Sequence, residues 1–361
     1  MDNWSEVRET KIQPNSCMQT RDDVFTRNNT VFVGAEMWNA NTNISEDCLY
    51  LNLFVPRTNN LSTATLVWIF GGSYVYGSAT LDIYDGRYLA AKGSVILAAV
   101  QYRMGVHGFL YTGTAEAPGN QGLLDQQMAL VWIYDNVEAF GGDRTKISLF
   151  GESAGAASVS HHLFAPSSWP YFNGAVMLSS TSFSPWALES TEENMRKAYQ
   201  LGRVLNCDVS NSSFLIECLR KVDAQDLELN QWDSSLAYGR IGTFVPVVDG
   251  DFLPAHPDTA LDSGTMKTDA DIILGVTEDE GEFFLLYFFQ DVFPPSSIFN
   301  PAPLNKSQFI DTLCKLVNCS VDMELDAILY IYEMSQVPSM RGTYRDILDD
   351  VREYIRYSII S

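Results

Sequence analysis

The sequence predicts an α/β fold, a mostly parallel central sheet with helices packed on both faces. Three observations predict it. Short apolar runs bounded by polar segments read as buried strands at 48–55 (CLYLNLFV), 66–70 (LVWIF) and 94–102 (SVILAAVQY), with further strands at 147–150 (ISLF), 174–179 and 271–276 (DIILGV). Between them lie helical patterns, the clearest at 120–140, where Leu123, Leu124, Met128, Val131 and Val137 form an apolar stripe. Finally, a Gly-x-Ser-x-Gly turn at 151–155 joins the strand 147–150 to a helix that opens on small residues.

The strand 66–70 runs straight into Gly71-Gly72. The stretch 182–260 is more polar and less regular, and reads as a cap-like insertion over the sheet rather than as a separate domain, so that 1–361 is a single domain. After the strand at 271–276, residues 283–289 are dense in aromatics, Pro294-Pro295 breaks the chain, and 307–334 has a helical pattern. No internal repeat or low-complexity tract occurs.

Hydrophobic residues make up 46% of the 361 and charged ones 19%, which gives a globular chain able to bury a large core. The 23 basic and 45 acidic residues leave a net charge of -22, which repels nucleic acid and anionic membrane and favours a cationic ligand. Cys17, Cys48, Cys207, Cys218, Cys314 and Cys319 lie far from any histidine at zinc-site spacing, so no metal is implied and disulfides are expected. Asn-x-Ser/Thr sequons begin at Asn3, Asn28, Asn43, Asn60, Asn211, Asn305 and Asn318, a density suited to a secreted or cell-surface glycoprotein. The first residues, MDNWSEVRETKIQ, contain no apolar stretch of the secretory kind, and no run is long enough to span a bilayer.

Gly151-Glu152-Ser153-Ala154-Gly155 has the context a nucleophile elbow requires, a strand before and a helix after. Glycines flank a strained turn in which larger side chains would strike neighbouring backbone, and the helix N-terminus supplies free N–H groups for a developing oxyanion.

The segments FGGDRTKISLFGESAG (140–155) and EDCLYLNLFVP (46–56), with NQGLLDQQMALVWI between them, resemble the signatures of the type-B carboxylesterase/cholinesterase family. The likeness runs from about Trp4 to Ser361. It implies an α/β-hydrolase fold and a triad in the order Ser, Glu, His, with no cofactor. Family members begin before Trp4 and continue past Ser361, so the resemblance implies an internal piece, incomplete at both ends. It places Glu280, in GVTEDEGEFF, at the triad carboxylate. A serine needs a base within hydrogen-bond reach, and no histidine of this sequence fits. His161 and His162 lie too far along the helix after Ser153, His107 is in a loop, and His256 precedes Glu280. The base is expected outside the chain, and the chain by itself is expected to be inactive.

The resemblance also implies an oxyanion hole from the N–H groups of Gly72, Ser73 and Ala154, with Ser73 standing where the family has a third glycine. Trp38 matches the tryptophan that lies against the choline head group. A quaternary ammonium cannot donate hydrogen bonds, and an indole face attracts it by roughly 0.5–2 kcal/mol, the standard instance of this interaction. Phe283 matches a second aromatic of the cation site, Tyr84 and Glu152 its polar support, Asp22 an entrance acid, and Trp186 part of the acyl pocket. Arg240 and Gly242 stand where vertebrate acetylcholinesterases have two phenylalanines that narrow that pocket, so the acyl preference is left open. The resemblance implies the disulfides Cys17–Cys48 and Cys207–Cys218; Cys314 and Cys319 have no counterpart in it, and a local bridge between them, five residues apart, would need a break in a continuous helix.

Together these features lead to the expectation of a serine esterase for small cationic esters, acylated at Ser153. A broad carboxylesterase and a non-catalytic adhesion relative on the same fold are the rivals. In this family membrane attachment and homo-oligomers depend on C-terminal tails.

Overall fold

The computed structural model describes residues 10–21, 26–27, 30–31, 36–57, 62–233, 243–278, 280, 292 and 306–316. By internal contacts the chain divides into two units, Met1–Asp22 with Val33–Gly275, and Asp23–Phe32 with Val276–Ser361.

The first unit is built on six strands, β1 (Leu51–Phe54), β2 (Thr63–Ile69), β3 (Ile96–Val100), β4 (Gly142–Glu152), β5 (Gly174–Leu178) and β6 (Asp271–Gly275). They lie in the order β6-β5-β4-β2-β3-β1. Only β1 runs antiparallel to its neighbour β3; the other four pairings are parallel. All five residues of β3 are buried, as expected of a parallel strand covered on both faces. β2 has β3 on one side and β4 on the other, so the direction of winding reverses between β2 and β4. The carboxyl ends of such a pair form the crevice where doubly wound sheets place their sites.

Helices α1 (Arg87–Gly93), α2 (Gly105–Phe109), α3 (Gln121–Asn136) and α4 (Ala154–Phe164) connect and cover these strands. The apolar stripe of α3 is only partly the expected one. Leu123 is buried, but Leu124 and Met128 are 37% and 70% exposed, and the inward face is Gly122, Leu123, Gln126, Leu130 and Ile133. The shift has a polar cause. Gln126 faces inward because its amide donates to Ser158 Oγ (3.1 Å) and its carbonyl oxygen lies 3.2 Å from His162 Nε2.

The segment 182–260, expected to be less regular, carries α5 (Thr191–Val204), α6 (Ser212–Leu219), α7 (Ala224–Asn230) and α8 (Pro257–Asp262). Its polarity is largely capping chemistry. The side chains of Ser190, Asn211, Asp223 and His256 each accept a first-turn backbone N–H of the helix they precede. Behind α5, Lys197 Nζ meets Glu189 Oε2 at 2.6 Å in a pair whose side chains are both 1% exposed.

Both implied disulfides are present, Cys17–Cys48 and Cys207–Cys218, with Cα separations of 4.9 and 5.6 Å. Cys314 is disulfide-bonded as well, within α9 (Lys306–Leu316) of the second unit, while Cys319 lies outside the described residues. That unit also holds a small antiparallel pairing of Thr26–Arg27 with Thr30–Val31. Among the described residues no helix is long and apolar enough to cross a membrane.

Candidate active site

Ser153 sits between the carboxyl end of β4 and the first residue of α4, at φ 54° and ψ -122°. An L-residue pays in strain for that conformation, and strain of this kind concentrates at functional positions. What holds it is close backbone approach. A side chain on Gly155 would drive into the Ile69 carbonyl oxygen, and one on Gly151 into the backbone of Gly155. Both glycines are therefore required by packing. The Ser153 N–H donates to the Leu178 carbonyl of β5 (2.9 Å), and its carbonyl accepts from the Ala157 N–H (2.9 Å). All eleven residues of α4 are buried, which its small side chains permit. Its first N–H groups, that of Ala154 among them, have no partner within the helix.

The loop after β2 lies against this turn. A side chain on Gly71 would come 2.6 Å from the Glu152 carbonyl oxygen, 2.9 Å from its Oε2 and 3.1 Å from Ser153 Cβ, so the start of the glycine loop lies against Ser153 itself. Gly72, Ser73 and Tyr74 all have positive φ (110°, 56° and 63°), and the N–H groups of Val75 and Tyr76 both return to the Gly72 carbonyl (2.9 and 3.1 Å). The result is one tight left-handed turn. Tyr102 secures its entry, donating its hydroxyl to the Phe70 carbonyl (2.8 Å) while the two rings stack at 4.5 Å. On the far side the Gly105 N–H donates to the Tyr74 carbonyl (2.6 Å).

Trp186 packs beside the loop, its ring 6.3 Å from that of Tyr74. Tyr84 lies against Trp68 at 5.0 Å between centroids, and burial together with the charge of Glu152 raises its phenol far above the ordinary value. Glu152 is thus close enough to Tyr84 for its charge to act on the phenol. Trp38 is half-buried in the Cys17–Cys48 loop, and three residues on, the Asn41 amide donates to the Thr80 carbonyl and accepts from the Thr80 hydroxyl (2.8 Å each). Glu280 belongs to the second unit, where its Oε1 accepts the Thr277 N–H at 2.8 Å. Asp22, Phe283, Arg240 and Gly242 lie outside the described residues.

All four histidines are engaged away from Ser153. His161 Nε2 lies 3.1 Å from the Ala187 carbonyl, and His162 is held between Ser168 and Gln126. Burial lowers their pKa values to about 4 and about 3, so both stay neutral. His107 Nε2 is 3.5 Å from Glu228 Oε1, and His256 caps α8. Sequence reading missed the polar residues that stitch the site together, Gln19, Gln101, Tyr102 and Ser158. Their partners lie 22 to 58 residues away for the long-range bonds of Gln19, Gln101 and Tyr102 to the loop region, so no local pattern announces them.

A strained serine at the switch point of a parallel sheet, backed by a buried helix and faced by a glycine loop, is the architecture of an α/β-hydrolase. Comparison with known families narrows the class: residues 1–353 match the Carboxylesterase family, and the chain belongs to it. It is 40% identical to "Acetylcholinesterase 1" of Caenorhabditis elegans over 93% of this chain and 55% of that protein. With "Acetylcholinesterase" of Bungarus fasciatus it shares 40% over 96% of this chain and 56% of the relative, and with "Cholinesterase" of Mus musculus 39% over 97% and 57%. The chain spans about half the length of the curated relatives it matches.

Proposed function

We propose that the protein is a serine esterase of choline-type cationic esters, acylated at Ser153. The observation that carries this reading is the Ser153 turn itself, strained and packed against the Gly71–Gly72 loop. In it Ser153 attacks the ester carbonyl, the N–H groups of Gly72, Ser73 and Ala154 stabilise the oxyanion, and Glu280 orients the base. Trp38 receives the cationic head group, Tyr84 and Glu152 support it, and Trp186 borders the acyl group. The net charge of -22 favours a cationic substrate, and two disulfides suit secretion into an oxidising compartment.

This reading assigns the base to none of His107, His161, His162 and His256, and the hydrogen bonds each ring makes elsewhere support it. Residues 1–361 expressed alone should therefore neither turn over acetylthiocholine nor be labelled stoichiometrically at Ser153 by an organophosphate. A chain extended to the length of its relatives should do both, and Ser153→Ala should silence it. In that enzyme Trp38→Ala should lower the specificity constant for the cationic ester about thirtyfold, corresponding to roughly 2 kcal/mol, with little change for the neutral isostere. Equal losses for both would instead favour a broad carboxylesterase. Turnover by residues 1–361, abolished by Ser153→Ala, would return one of the four histidines to the role of base.

A further inference from the structure

Gln19 is 7% exposed and lies two residues after Cys17, at the root of the disulfide loop that carries Trp38. Its side-chain amide pairs with both backbone groups of Gly77. Oε1 accepts the Gly77 N–H at 3.0 Å, and Nε2 donates to the Gly77 carbonyl at 2.8 Å and to the Cys17 carbonyl at 3.0 Å. Gly77 closes the left-handed turn of the glycine loop, and its own fit is tight. With φ 116°, it sits so that a side chain there would come 2.7 Å from the Phe70 ring and 2.8 Å from the Gly71 carbonyl. The backbone fixed by Gln19 thus bears on Gly71, and Gly71 bears on Glu152 and Ser153.

Of the three residues that follow, Ser78 and Thr80 are tied to the disulfide loop or the residue before it. Ser16 Oγ donates to Ser78 Oγ (2.8 Å), and Thr80 and Asn41 exchange bonds at 2.8 Å. From the sheet side, Gln101 receives the Ala79 N–H (3.2 Å) and donates to Ser78 Oγ (2.8 Å). Of these, Gln19 alone grips the turn at its junction.

We infer that Gln19 is a positioning residue for the oxyanion hole, coupling the disulfide loop to the backbone N–H groups of Gly72 and Ser73 through Gly77. The inference rests on the esterase reading above. Donors aimed at an oxyanion act through their exact placement, and small displacements there are costly. Met at position 19 keeps the length of the side chain and removes both bonds to Gly77. Glu keeps the acceptor for the Gly77 N–H and sets a carboxylate oxygen against the Gly77 carbonyl.

The test is kinetic, in the full-length enzyme. Gln19→Met and Gln19→Glu should each lower kcat/KM for a neutral acetate ester by about tenfold or more. They should weaken a trifluoromethyl ketone, which binds as an oxyanion adduct, by the same factor. Affinity for tetramethylammonium, which needs no oxyanion hole, should stay within about twofold. A role confined to stability would lower the melting temperature without separating the ketone from the ammonium ion, and that result would overturn the inference. So would wild-type kinetics in both variants, or failure of both to fold; if only Gln19→Met fails to fold, Gln19→Glu decides. A wild-type enzyme without Ser153-dependent turnover would strike the esterase reading first and this inference with it, whereas an active wild type with unaffected variants strikes the inference alone.

Discussion

Ser73 and Tyr74 hold positive φ in succession without being glycine, and the conformation costs an L-residue roughly 1–2 kcal/mol at each position. Tyr74 is fully buried, with its ring edge-on to Phe109 at 5.0 Å, so packing repays its strain. Ser73 is half-exposed and has no comparable anchor among the described contacts, so its strain stands in the site. Ser73→Gly is therefore expected to raise stability by about 1 kcal/mol or somewhat less, since glycine removes the strain but frees the unfolded chain. The same change removes a hydroxymethyl group beside the proposed oxyanion hole. Inactivation by bulky organophosphates and carbamates should then quicken severalfold, while that by the smallest carbamates changes less. Denaturant titration checks the first effect and inactivation rates the second; equal rates for large and small inhibitors would place Ser73 outside the acyl space. The sequence exposes this residue only as a departure from a glycine triplet, because positive φ leaves no mark when the residue adopting it is serine.

The strands were legible as elements because a parallel strand buried on both faces is an unbroken apolar run, as β3 shows. The turn at Ser153 was legible because its glycines are fixed by backbone contact and admit no substitute. The inward face of α3 was not, since Gln126 is buried through partners on α4, beyond any local window. Helices α5 to α7 were masked by the polar caps that start them. Between α2 and α7 lies a second polar surprise. Glu228 is 1% exposed, its Oε2 accepts from Gln231 Nε2, and its Oε1 is 3.5 Å from His107 Nε2. Burial raises its pKa to about 8 and lowers that of His107, so at neutral pH the two face each other uncharged. In the unfolded chain Glu228 ionises near the ordinary value of 4.5. Between that value and about 8 the native state holds a proton that the unfolded state has lost, so this group makes stability fall as pH rises. Glu228→Gln keeps an acceptor for Gln231 and cannot ionise. Its stability relative to wild type should be flat below about pH 4.5, climb through the window at a limiting slope of about 1.4 kcal/mol per pH unit, and level off above pH 8. Thermal melts across pH 4 to 9 would read this, and a difference independent of pH would show that Glu228 is ionised in the fold.

At the scale of the whole molecule, charge and sheet architecture pull in opposite directions. A net charge of -22 keeps copies apart at low salt, where repulsion extends over tens of ångströms. Yet β6 hydrogen-bonds to β5 on one side, and among the described residues no strand covers its other edge. Its apolar side chains lie open on both faces, with Ile272, Ile273, Leu274 and the following Val276 at 42, 62, 54 and 61% exposure. A short apolar strand with no charge beyond Asp271, whose second edge no described strand covers, is a template for pairing with another chain. At physiological salt the screening length shrinks to about 8 Å, and edge pairing is then the stronger term. Residues 1–361 expressed alone should accordingly self-associate in a salt-dependent way, slowly at low ionic strength and faster as salt is added. Ile273→Lys and Ile273→Glu should both slow this severalfold, because either charge must be desolvated when the edge pairs. The two variants separate the causes, since they shift the net charge in opposite directions while blocking the same edge. Light scattering against salt concentration gives the answer: slowing by both variants assigns the association to β6, slowing by Ile273→Glu alone assigns it to net charge, and no slowing by either moves the sticky surface elsewhere on the molecule.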